Sequence, residues 1–197
     1  MSYYFAIIGT KDNPLFEHEF GTSKQGGDGI ARFRDDARHM NQFIVHSSLD
    51  IVEEVQWTTG CMSASPFRLF NTCCFPLPTD ITRGSKRYLK SIDRFHTSYI
   101  SCLLTGGNIK LLLLHCPDRT AGATTINSTT NRPSTSSSNS IASNPTSPAA
   151  EEAIRQFFAE VYENWVKTLM NPFYIVNMPV TSPVFRQRVV AAGRKYL

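Results

Sequence analysis

Apolar residues along this chain recur in two rhythms, and the alternation between them predicts the elements. Residues 3–9 form an apolar run, Asp12-Asn13-Pro14 is turn chemistry, and residues 15–20 alternate Leu15, Glu17 and Glu19 against Phe16, His18 and Phe20. Asp and Asn bond nearby backbone and Pro fixes φ, so the pattern predicts a hairpin. Residues 21–33 are a glycine-rich loop. Over residues 35–57 the rhythm changes: Met40, Ile44, Ser47, Ile51 and Val55 recur at three- and four-residue spacing, which predicts a helix with that stripe on the core.

Residues 86–95, 99–105 and 109–115 read as further strands. Gly106-Gly107-Asn108 makes a tight turn, since glycine accepts positive φ. Ser147 and Pro148 cap and start a second helix with an apolar face of Ile154, Phe157, Phe158, Val161, Trp165 and Leu169. Pro172 stops it, with Phe173 and Tyr174 expected to anchor the return chain. Ser182 and Pro183 repeat the start signal for a short last helix bearing Phe185, Val189 and Ala192. The order β-β-α-β-β-β-α-α specifies an α+β fold, a five-stranded antiparallel sheet with one helix on one face and two on the other.

Two stretches interrupt this pattern. Residues 119–148 are rich in Ser and Thr, lack periodicity and bury too little to offset the entropy of ordering, so they read as a disordered insertion. Residues 61–84 are apolar and hold three cysteines and three prolines, without a usable period. They either pack as a hydrophobic flap or are intron-derived sequence. The chain is then a single domain, 1–197, with insertions at 61–84 and 119–148.

Composition narrows the functional classes. Twenty Lys and Arg against 16 Asp and Glu give a net charge of +4, and 41% of residues are hydrophobic. That suffices for a core, but the charge is too small and too dispersed for the clustered basic face that nucleic acid requires. The apolar run near the start lacks the charged region of a secretory signal, and residues 111–114 fall far short of the ~20 needed to span a bilayer. The expectation is a cytoplasmic protein that meets membranes only through partners. Five cysteines without C-x-x-C spacing argue against a disulfide framework and a structural zinc, and no cofactor motif is present.

Catalytic motifs are equally scarce: there is no G-x-S-x-G, H-E-x-x-H or G-x-x-x-x-G-K-[ST]. A small enzyme using Cys102 or Cys116 with a histidine stays as an alternative, although His115 and Cys116, adjacent on a strand, point to opposite faces. The first helix is more informative. With its core face at Ile51, a second apolar stripe of Val45, Leu49 and Val52 points outward, with Asp50 and Glu53 on its flank. That stripe either binds a protein partner or is covered by the 61–84 stretch.

Several ordered blocks also carry a family likeness. Tyr4-Phe5-Ala6-Ile7-Ile8-Gly9, Asp12-Asn13-Pro14-Leu15-Phe16-Glu17, Arg38-His39-Met40-Asn41-Gln42-Phe43-Ile44 with Leu49-Asp50, Tyr88-Leu89-Lys90-Ser91-Ile92-Asp93-Arg94-Phe95 and Met170-Asn171-Pro172-Phe173-Tyr174 closely resemble the sedlin family of TRAPP (transport protein particle) subunits. The resemblance implies a longin (SNARE-like) fold and a non-catalytic adaptor in a vesicle-tethering complex of ER-to-Golgi and Golgi transport. It further implies other TRAPP subunits as partners, with a Rab-type GTPase and membranes reached through the complex, and a place at the periphery of ER and cis-Golgi membranes. The family's helical aspartate falls on Asp50, where the resemblance implies partner contact. A longin-domain subunit of another trafficking assembly is the alternative within the same class.

Overall fold

The central strands form where apolar side chains are buried on both faces at once. The computed structural model describes residues 1–21, 29–31, 33, 38–58, 88–116 and 147–197. Its elements are β1 (Ser2–Ile8), β2 (Pro14–Gly21), α1 (Met40–Thr58), β3 (Tyr88–Phe95), β4 (Ser98–Leu104), β5 (Lys110–Cys116), α2 (Pro148–Leu169) and α3 (Pro183–Tyr196). The 61–84 stretch, and the 119–148 stretch except its last two residues, lie outside the described residues, as do parts of the predicted starts of the first helix and third strand.

The sheet runs β2-β1-β5-β4-β3, and every neighbouring pair is antiparallel. β1 and β5 occupy its centre and are buried on both faces, which is why they read as unbroken apolar runs. Tyr3, Phe5, Ile7, Leu111 and Leu113 face α2 and α3, whereas Tyr4, Ala6, Ile8, Leu112 and Leu114 face α1. On the first side aromatic rings interlock: Phe5 meets Phe157 edge-on at 5.3 Å and Phe16 meets Phe185 edge-on at 5.0 Å. α3 approaches β2 so closely that a Cβ at Gly193 would come within 2.5 Å of the Phe20 ring. Both C-terminal helices start as expected, with Ser147 Oγ accepting from Ala150 N–H and Ser182 Oγ accepting from Phe185 N–H.

The first helix forms where its spacing predicts, but it sits on the sheet rotated by roughly a quarter of a turn at 100° per residue. Its buried residues are Asn41, Ile44, Val45, Ser48, Leu49, Val52 and Gln56, while Met40 and Ser47 are exposed and Ile51 and Val55 half-buried. The expected outward stripe is therefore core: Val45, Leu49 and Val52 are 2%, 4% and 0% exposed. Polar members had made this face look external. Two of them find partners when buried: Ser48 Oγ donates to the Val45 carbonyl at 2.7 Å, and Gln56 Nε2 donates to Asn108 Oδ1 at 3.4 Å.

Candidate functional site

The register of α1 decides which of its side chains reach solvent. Positions seven apart drift by only about 20° around a helix, so Phe43, Asp50 and Trp57 line up along its outer side. Phe43 is 63% and Trp57 73% exposed, and Asp50 between them is exposed and has no ion-pair partner among the described residues. The stripe went unread because Phe43 and Trp57 are too far apart to register as a three-and-four pattern; spacing by seven would have found it. α1 carries Asp50, Glu53 and Glu54 and no Lys or Arg, so its outer face is acidic.

Of the five residues singled out in the sequence, only Asp50 and Glu53 are thus at the surface, and Glu53 is partly committed inward. Its Oε1 lies 3.7 Å from Lys110 Nζ, a group only 1% exposed that also holds Asp12 Oδ1 at 2.7 Å. This ammonium ties the end of β5 to the β1–β2 turn and to α1. Beside it, a groove of about 370 Å³ runs between α1 and the hairpin, lined by Tyr4, Ile8, Pro14, Phe43, Val45 and His46 among others. Tyr4 closes one end: its hydroxyl donates to Glu17 Oε1 at 2.7 Å, and Gln42 Nε2 donates to Glu17 Oε2 at 3.0 Å. Burial and the Glu17 carboxylate push the Tyr4 hydroxyl far above its usual range, so it stays a neutral donor.

The two described cysteines, Cys102 and Cys116, are not set up as nucleophiles. Cys102 is 0% exposed and burial pushes its thiol up to about 12, leaving little thiolate near neutrality. Cys116 accepts from Ser98 Oγ at 3.2 Å and packs on the α1 side, while His115 stands 4.7 Å from the Tyr3 ring, whose side chain belongs to the opposite face.

Past the end of α2, the Asn-Pro-Phe-Tyr segment behaves differently from expectation. Tyr174 does anchor, edge-on to Trp165 at 6.0 Å, but Phe173 is 86% exposed. The turn places these neighbours on opposite sides. Among the described residues no helix is long and apolar enough to cross a membrane.

Comparison with known proteins matches this sequence over nearly its whole length. The family model described as Sedlin matches residues 7–195. A Schizosaccharomyces pombe protein named transport protein particle 20 kDa subunit is 35% identical over 197 residues, covering all of both chains. A Drosophila melanogaster protein named probable trafficking protein particle complex subunit 2 is 30% identical, covering all of this chain and 97% of the relative. The Saccharomyces cerevisiae trafficking protein particle complex subunit 20 is 32% identical, covering all of this chain and 99% of the relative. With the model matching nearly end to end and, among the described residues, a five-stranded antiparallel sheet flanked by three helices in the longin manner, this chain belongs to the Sedlin family.

Proposed function

We propose that this protein is a non-catalytic adaptor subunit of a TRAPP vesicle-tethering complex in ER-to-Golgi and Golgi transport. Relatives that span its whole length are named as subunits of such particles in two yeasts and a fly. Its own contribution is surface complementarity. α1 presents Phe43, Asp50 and Trp57 as a continuous outer stripe, and this stripe is the observation that carries the reading. Aromatic side chains supply large contact area, and a carboxylate between them selects a partner with a facing Arg or Lys. Glu53 adds to the negative field on the same helix. The other particle subunits are the direct partners, and a Rab-type GTPase and ER or cis-Golgi membranes are reached through the assembled complex from the cytoplasm.

The test is replacement of Asp50 by Arg in the tagged full-length chain. Because Asp50 is exposed and unpaired among the described residues, the Tm should not change. Co-purification of sibling subunits should fall about tenfold, the size of one interface hot spot. Undiminished recovery of those subunits would refute docking through α1.

A further inference from the structure

Between Thr168 and Phe185 the chain carries no charged residue, yet much of it faces solvent. Met170, Phe173, Ile175 and Val176 are 76%, 86%, 70% and 71% exposed. These side chains sit on a braced backbone. The Asn171 carbonyl accepts from Tyr174 N–H and the Ile175 carbonyl accepts from Met178 N–H, both at 3.0 Å, which makes two successive turns. The Tyr174 hydroxyl donates to the Met178 carbonyl at 2.8 Å. Asn177, in the left-handed region at φ 65°, latches the pair to the β1–β2 turn. Its Oδ1 accepts from Thr10 N–H at 3.0 Å and its carbonyl accepts from Asn13 Nδ2 at 3.1 Å, while Val180 N–H donates to the Leu15 carbonyl at 2.8 Å. Gly9 leaves the room this requires, since a Cβ there would come within 2.5 Å of Asn177 Oδ1. Apolar side chains held out this way mark an interaction site, and bracing lowers the cost of ordering them on binding.

The surrounding charge identifies the occupant. The start of α3, which follows the turns, carries Arg186 and Arg188, and α3 has no acidic residue. Lys11 is exposed beside the latch. Carboxylates at this end already face lysines: Asp12 with Lys110 and Glu163 with Lys167. Among the described residues Lys11, Arg186 and Arg188 face no carboxylate at ion-pair distance. We propose that residues 170–178 form a second docking surface, whose occupant is a different protein chain offering an apolar pocket rimmed by carboxylates; this rests on the subunit reading above. A two-fold contact between copies through this surface fits poorly, because it would set one basic patch against another. A bilayer also fits poorly. Irregular backbone brings peptide groups that hydrocarbon cannot satisfy, and the flanking cations are fewer than those of polybasic membrane segments. Since α1 is acidic and this surface basic, the two select different partners, and the molecule can bridge them.

The experiment uses the full-length tagged chain in its own cells, with sizing of the extract and photo-cross-linking from a benzoylphenylalanine placed at position 173. The double variant F173S/V176S alters only exposed side chains, so its Tm should match the wild type. Its assembled fraction should fall about tenfold. Lys11→Glu should lower the assembled fraction about threefold at low salt, with the difference shrinking as salt screens it. The cross-link should land in an acidic, apolar segment of another protein. Cross-linking to lipid or to a second copy overturns the proposal, as does a double variant that assembles like the wild type. A wild-type chain that never elutes with a larger particle overturns the subunit reading itself, a result distinguishable from failure of this surface alone.

Discussion

On the α2–α3 side of the sheet the core is aromatic: Phe5, Phe16, Phe20, Phe157, Phe158, Trp165 and Phe185 interlock at centroid separations of 5–6.4 Å. On the α1 side the buried set is smaller and mostly aliphatic, with Asn41, Ser48 and Gln56 buried alongside Ile44, Val45, Leu49 and Val52. Two helices share the first face and one covers the second. The charges divide the same way, with a basic α3 and an acidic α1. One side thus concentrates packing energy. The other has less packing and carries an exposed aromatic–acid stripe.

The contrast can be broken most severely at Phe157. It is fully buried between Phe5, Phe20 and Phe158, so Phe157→Ala should cost about 3–5 kcal/mol in denaturant unfolding. An unshifted transition would show that the aromatic side does not carry the stability. Leu49→Ala, on the α1 side, should cost less, about 2–3 kcal/mol. No loss at all would mean that Leu49 faces outward after all and that the register of α1 described above is wrong.

A smaller effect is expected at the ion cluster. Asp12→Asn keeps the left-handed turn, which asparagine tolerates, but removes the nearer charge from the buried Lys110 ammonium. With Asp12 44% exposed and solvent screening the pair, the cost should be about 1–2 kcal/mol. Lys110→Met in the same background should recover part of it.

The smallest signal is a pH slope. Burial between the hairpin and α3, helped by the Arg186 charge, holds His18 below its ordinary 6.5. The unfolded chain therefore binds this proton more readily than the folded one. Stability from His18 is present above about pH 6.5 and is lost as pH falls toward its folded value. His18→Phe, which keeps the ring against Phe20, should flatten the fall in Tm between pH 7.5 and pH 5; an identical slope would remove His18 from the acid response.

Much of the fold was legible because it depends on short-range chemistry. Strand runs, the Gly106-Gly107 turn, the Ser147-Pro148 and Ser182-Pro183 helix starts and the order β-β-α-β-β-β-α-α all follow from neighbouring residues and recur where expected. The candidate site was legible only in part. That Asp50 faces away from the core was legible, but not the exposure of Phe43 and Trp57 on the same side, nor that of Phe173.

The division has a physical origin. Periodicity determines that residues 40–58 form a helix, but this helix carries two usable stripes, and a periodic pattern is silent about which one a sheet will accept. Contact with Ala6, Ile8, Leu112 and Leu114 settles that in favour of Val45, Leu49 and Val52, with Ser48 and Gln56 hydrogen-bonded beneath them. Likewise Pro172 determines that α2 ends, but the direction in which Phe173 then points depends on Asn177 bonding to Thr10, a partner 167 residues away. Local sequence selected the elements, and long-range packing selected which of their faces meet water and so meet partners.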